Sequence, residues 1–171
     1  MYSLLRDRKL AKRYHGGKAL VFRLTVDDYH RYIYIDDGVK SNNRHINGFY
    51  HTVNPVANDV CPIYKENHRE YTMIRSKNFG DMIQMEVGAL MVGRITNHHK
   101  KTKKVKRGAE KGYFEFGGST IIVLLKKDAV VIDSDIIENT NKGFETRVLC
   151  GEKIGIKGDY GKDRATRVGK K

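Results

Sequence analysis

The sequence predicts a mainly β protein: one compact sandwich- or barrel-like domain over residues 1–171, with a short helix at the N-terminus. Three observations carry that expectation. The chain has 171 residues, enough for one buried core and short of two. Short runs of β-branched and aromatic residues recur along it, separated by glycine and Asx turns. Only one stretch, near the start, carries leucines at a spacing that suits a helix.

That stretch is 3–15, where Ser3 is a candidate cap, Leu4, Leu5 and Leu10 form a partial apolar face, and Gly16 and Gly17 can end the helix. Strands follow. Residues 19–26 are rich in β-formers, and 29–35 interleave Tyr29, Tyr32 and Tyr34 with other residues. Asp36-Asp37-Gly38 marks a turn. Further strands are expected at 70–75, 82–97, 113–116, 119–126, 129–132 and 144–149. Two segments break the pattern. The run 98–107, His-His-Lys-Lys-Thr-Lys-Lys-Val-Lys-Arg, reads as an exposed basic loop, and 157–171, with Gly158, Gly161 and Gly169, as a flexible basic tail. No internal repeat is visible.

Composition narrows the function classes. The longest apolar run, Ile121 to Leu125, ends at Lys126-Lys127, far short of the roughly 18 residues of a membrane-spanning helix. The first residues alternate leucine with arginine and lysine, so no signal peptide is expected. Cys61 and Cys150 offer neither a metal-ligand spacing nor a disulfide framework, and read as buried reduced thiols. Thirty-three Lys and Arg against twenty Asp and Glu give a net charge of +13. Such an excess favours polyanions, either nucleic acid or an anionic membrane surface. Composition alone does not choose between them.

The segment that carries chemistry is 106–120, which ends Gly117-Gly118-Ser119-Thr120 and runs into the apolar residues 121–125. Two glycines without Cβ atoms let the backbone bend and leave the Gly118 carbonyl open to attack. The Ser119 hydroxyl can reach that carbonyl and shift the acyl group from nitrogen to oxygen. The ester can then eliminate at Ser119, and hydrolysis leaves a pyruvoyl group. Taken alone, Gly-Gly-Ser is more simply a β-turn before an ordinary strand.

The longer segment, however, resembles the self-processing site of the phosphatidylserine decarboxylases. Three other segments resemble that family in the same order: 22–32 with Asp28-Tyr29-His30-Arg31, 48–55 with Val53-Asn54, and 87–95 opening on Val87-Gly88-Ala89. The resemblance implies a lyase of phospholipid metabolism, made as a zymogen, that converts phosphatidylserine to phosphatidylethanolamine. It implies autocatalytic cleavage between Gly118 and Ser119, with pyruvate as covalent cofactor on Ser119 and no metal. A pyruvoyl carbonyl can form a Schiff base with the serine amine and accept the electrons that decarboxylation leaves behind. Residues 1–118 would be the β chain and 119–171 the α chain of a heterodimer, itself expected to dimerise. Val87, Gly88 and Ala89 would line the substrate site.

By the same resemblance His30 is the first candidate for proton transfer, with His51 second. The family's pattern is not met throughout. Ile33 stands where many relatives carry a second histidine, and the charge-relay aspartate of an upstream Pro-Ala-Asp segment has no counterpart in these residues. Asp27 or Asp28 could orient His30, though neighbours on a strand face opposite ways. His98 and His99 read as solvated loop, and His15, His45 and His68 show no partner in the sequence. A lipid substrate implies a peripheral protein at an anionic surface on the cytoplasmic side. Residues 100–107, the tail and Arg6, Arg8, Lys9, Lys12 and Arg13 would meet it, with Leu4, Leu5 and Leu10 dipping into the interface. Two alternatives stand beside this: an incomplete or inactive homologue, and a nucleic-acid-binding β domain stacking bases on Tyr29, Tyr32 and Tyr34. The second leaves the Gly-Gly-Ser-Thr segment unexplained, so no nucleic-acid partner is expected.

Overall fold

The computed structural model describes residues 1–25, 27–49, 63–89, 94–115 and 119–160, and of residues 63 and 64 the backbone alone. The chain opens with two short helices where one was expected. α1 (Tyr2–Leu5) ends as Arg6 takes a left-handed conformation at φ 50°, and α2 (Arg8–Lys12) restarts on Asp7, whose side chain accepts the Leu10 amide at 2.9 Å. Asp7 caps better than Ser3 because Ser3 falls inside α1, where a helix-start cap is of no use.

The strands are β1 (Lys18–Leu24), β2 (Arg31–Ile33), β3 (Gly38–Lys40), β4 (Arg44–Ile46), β5 (Arg69–Ser76), β6 (Gly80–Val87), β7 (Arg94–Asn97), β8 (Lys103–Val105), β9 (Glu110–Glu115), β10 (Ser119–Leu125), β11 (Val130–Ile132) and β12 (Gly155–Lys157). A 3-10 turn covers Ile63–Glu66, and α3 spans Ser134–Asn141. The main sheet is seven-stranded and runs β1-β10-β6-β5-β3-β8, with β4 also on β5. A second sheet, β2-β9-β7, packs over it, and β11-β12 form a separate pair. Every named pairing is antiparallel. Among the described residues the strand path stays open, so the expected mainly β architecture is a sandwich and not a closed barrel.

Strand alternation explains the two cores. One face of the main sheet, with Tyr71, Ile83, Met85, Val87, Ile122 and Leu124, packs against Leu4, Leu5, Leu10 and Tyr14 from the N-terminal helices. Those three leucines are 6%, 2% and 5% exposed, which corrects the expectation that they dip into a membrane. The opposite face, with Ile74, Met82, Val123 and Leu125, meets Tyr34, Val105 and Ala129.

Other expectations shift for identifiable reasons. The single strand expected over 82–97 ends, as β6, at Val87, and β7 joins the other sheet. Residues 144–149 have strand-like composition but pair with no strand, while 134–141, without a single buried residue, form α3. The run 98–107 contains β8, because Val105 turns inward and the backbone pairs with β3 at the sheet edge. The stretch expected as a tail is fixed at its start, where Lys157 pairs with Val130 and the Gly158 amide bonds Ala129 O at 3.0 Å. Cys150 is exposed, not buried, and Cys61 lies outside the described residues. Among the described residues no helix is long and apolar enough to cross a membrane.

Candidate active site

Ser119 is the first residue of β10, the second strand of the main sheet, and is fully buried. It pairs with Leu24 of β1 on one side. On the other side Thr120 pairs with Val87, and the register carried one step further sets Gly88 across from Ser119. The apolar run after Ser119 suits this placement, because both faces of the sheet are covered there. No described residue hydrogen-bonds to Ser119 Oγ. A buried hydroxyl normally finds a partner, so an orphaned one at a strand start is a group held for another purpose. Its chemistry fits a pyruvoyl precursor: a nucleophilic oxygen, shielded from bulk solvent, beside the peptide bond to Gly118.

Of the three residues expected to line the substrate site, Gly88 falls across from Ser119 by register, flanked by Val87 and Ala89. Val87 and Ala89 are buried, and Gly88 is pinned by its amide on His68 O at 2.9 Å and by Asn67 Nδ2 on its carbonyl at 2.8 Å. His30 precedes β2, at the end of the second sheet from which the chain leaves β9 for Ser119, and its carbonyl accepts the Phe114 amide at 2.9 Å. His30 Nδ1 lies 2.7 Å from the Asp28 carbonyl oxygen. A carbonyl can only accept, so Nδ1 carries a proton and donates it to this bond. Asp28 therefore orients His30 with its backbone. Its carboxylate is engaged elsewhere, on the Thr25 amide at 2.7 Å and hydroxyl at 3.0 Å, and those bonds hold it below the usual carboxylate range. His51, Gly117 and Gly118 lie outside the described residues.

Ile33 ends β2, and its carbonyl accepts Gln84 Nε2 at 2.9 Å. Histidines that looked partnerless in sequence have neighbours: His45 Nδ1 meets Glu70 Oε2 at 3.0 Å, and His15 lines a polar hollow with Asp81, Lys126 and Tyr160. His68 is held below its ordinary value by burial. His98 and His99 turn to separate partners, Glu110 at 2.6 Å and Lys103 at 2.8 Å, and share none. Tyr32 and Tyr34 are 3% and 2% exposed, so the stacking platform that a nucleic-acid reading needs does not form.

Sequence reasoning missed a charged layer between the sheets. Lys111 Nζ bonds Glu86 Oε2 at 2.6 Å and Asn97 Oδ1 at 2.8 Å, and Asn97 Nδ2 bonds Glu70 Oε1 at 2.9 Å. Glu86 and Lys111 are both fully buried. Burial pushes the Glu86 carboxyl up, against the pull of Lys111. The signal was Gln84 and Glu86 alternating with Ile83, Met85 and Val87, a pattern that ordinarily means a solvent face.

Comparison with known proteins places the chain in a family. A family model described as phosphatidylserine decarboxylase matches residues 1–156. The chain is 51% identical over 156 residues to phosphatidylserine decarboxylase proenzyme 2 of Clostridium acetobutylicum, covering 91% of this chain and 53% of that protein. It is 49% identical over 155 residues to the proenzyme of Clostridium novyi (90% and 52% covered) and 48% identical over 155 to that of Clostridium perfringens strain SM101 (90% and 53%). The chain thus spans about half the length of the curated relatives it matches. No solved structure matches it.

Proposed function

The chain belongs to the phosphatidylserine decarboxylase family, and on that premise we propose that it removes carbon dioxide from phosphatidylserine after cutting its own backbone between Gly118 and Ser119. The observation that carries this reading is the buried, unpartnered Ser119 Oγ at the start of β10. In the first step Oγ attacks the Gly118 carbonyl carbon, a C–O bond replaces the C–N bond, and the hydroxyl proton ends on the Ser119 nitrogen. Elimination then frees the Gly118 carboxylate, and water expels the nitrogen as ammonia. The pyruvoyl group so formed supplies a carbonyl that binds the substrate amine and accepts electrons as carbon dioxide departs.

The chain's own residues do the rest. Val87, Gly88 and Ala89 border the place where the substrate carboxylate and amine must sit. The pinning of Gly88 by His68 and Asn67 keeps that border rigid. His30 is the proton-transfer group, and its Nδ1 bond to Asp28 O holds the ring's orientation. The pieces 1–118 and 119–171 stay together as an α/β heterodimer, since β10 lies between β1 and β6, both from the N-terminal piece. Work on a phospholipid places the protein at an anionic membrane surface on the cytoplasmic side.

Mass spectrometry and a denaturing gel of the full chain test this. Two pieces are expected, divided after Gly118, the smaller with a blocked N-terminus. Ser119→Ala should stay whole, and His30→Asn should lower carbon dioxide release by about 100-fold or more. An intact wild-type chain, or a Ser119→Ala chain that still decarboxylates the lipid, overturns the reading.

A further inference from the structure

Strand parity gathers a set of polar atoms on one face. Ser119 shares its side of β10 with Ile121, Val123 and Leu125, the side turned toward the second sheet. Ile121 pairs with Glu86 and Gln84 with Thr72, so these polar side chains point the same way. Ser119 Oγ, Glu86 Oε1, Gln84 Oε1 and Thr72 Oγ1 are all buried, and no described residue hydrogen-bonds to any of them. Tyr34, on the same inner side, has an unpartnered buried hydroxyl as well. One orphan is a local fault. A row of them across three adjacent strands is a place for water, which donates to the carboxylate and amide oxygens and bonds the hydroxyls either way.

We propose that this face holds a file of buried waters, and that Glu86, anchored by Lys111, takes the Ser119 hydroxyl proton through the first of them and returns it to the departing nitrogen. The proposal rests on the self-cleavage reading above. The step balances without another reactant: the C–O bond forms, the C–N bond breaks, the proton passes from Oγ to nitrogen, and Glu86 ends as it began. Geometry selects Glu86. It stands two residues from Gly88, and diagonal cross-strand neighbours lie about 7–8 Å apart, a gap that suits one bridging water. Its Oε2 is already taken by Lys111 and Asn97, which leaves Oε1 for the water. The raised affinity of this buried carboxyl for a proton suits a shuttle that must hold one briefly. Facing Glu86 are Lys111 from β9, Glu70 from β5, Lys40 from β3, and Tyr32 and Tyr34 from β2 and its continuation.

The test uses the full chain and two readouts. A high-resolution crystal structure of the uncleaved Ser119→Ala chain should show water within hydrogen-bond distance of Glu86 Oε1 and of Thr72 or Gln84. Conversion to the two pieces should slow by about 100-fold or more in Glu86→Gln and recover in part in Glu86→Asp. The pH profile of the residual rate should lose the limb that the wild type shows. Because Glu86→Gln leaves Lys111 unpaired, Glu86→Leu with Lys111→Met gives a folded control that should also fail to cleave. A dry layer overturns the proposal, as does Glu86→Gln cleaving at the wild-type rate with an unchanged profile. A wild-type chain that never cleaves removes both the self-cleavage reading and Glu86's part in it, whatever the density shows.

Discussion

Lys40 places an ammonium fully inside the protein, donating to His99 O at 2.8 Å and Lys101 O at 2.9 Å. Among the described residues no carboxylate bonds it directly. Burial, and secondarily the charge of Lys111, push its pKa down to about 8. In the unfolded chain the amine keeps its proton to roughly 10.4, so between those values the folded state binds fewer protons. Stability from this group therefore rises with pH across that window and is depressed below it. Replacing Lys40 with Met removes the term. Urea midpoints at pH 7.5 and 9.5 should show wild type gaining on Lys40→Met by about 2 kcal/mol at the higher pH. An equal difference at both values would mean that the amine titrates normally. Nothing in the sequence hints at this, because a lysine's spelling is the same in the core as on the surface, and only tertiary cover makes the difference. Ser119 was the opposite case. The role proposed for it rests on neighbours in the chain, since the proposed attack is on its own backbone.

Elements were legible where local pattern and tertiary demand agree. β10 was readable to within a residue because five apolar side chains in a row tolerate only a covered strand. The N-terminal helix was found but not its break, which depends on Asp7 catching the Leu10 amide. β8 was hidden inside a run of lysines, since edge strands carry charge as a matter of course. What docks the helices could not be read at all. Arg69, fully buried on β5, donates to Leu4 O at 2.7 Å and Ser3 O at 2.8 Å, and to Asn67 O at 2.6 Å. It thus closes the C-terminal carbonyls of α1 against the strand that borders Val87. Arg69→Met fills the space but abandons three carbonyls, a loss of about 3 kcal/mol. Hydrogen exchange should show residues 1–13 losing protection before the sheet does. Uniform loss across the molecule would instead mean that the helices and sheet unfold as one unit.

At the scale of the whole molecule the charge of +13 is unevenly placed relative to the reacting end. Lys103 pairs with Lys40, Lys40 with Ile74 and Ile74 with Met82, a row that meets β10 near Leu125. Ser119 is six residues from that row, about 20 Å along the strand, and β8 is four strands to the side, about 19 Å more. Both distances exceed the Debye length of about 8 Å in physiological salt. Any anionic surface that the lysines of 100–104 attract is therefore held well away from Ser119. On the proposed lipid function they are an electrostatic tether, not a part of the reacting surface. Vesicle co-sedimentation separates these roles. Replacing Lys100, Lys101, Lys103 and Lys104 with Ser should weaken binding to phosphatidylglycerol vesicles, at about 1 kcal/mol for each cation that nears the surface. It should leave conversion to the 1–118 and 119–171 pieces unaltered. Wild-type binding should fall steeply as salt rises and be absent on neutral phosphatidylcholine. If the substituted chain binds anionic vesicles as tightly as wild type, the tether lies elsewhere on the surface. If RNA competes the wild type off vesicles at equal charge, the lysines read only polyanion density, and lipid selection must come from residues other than these lysines.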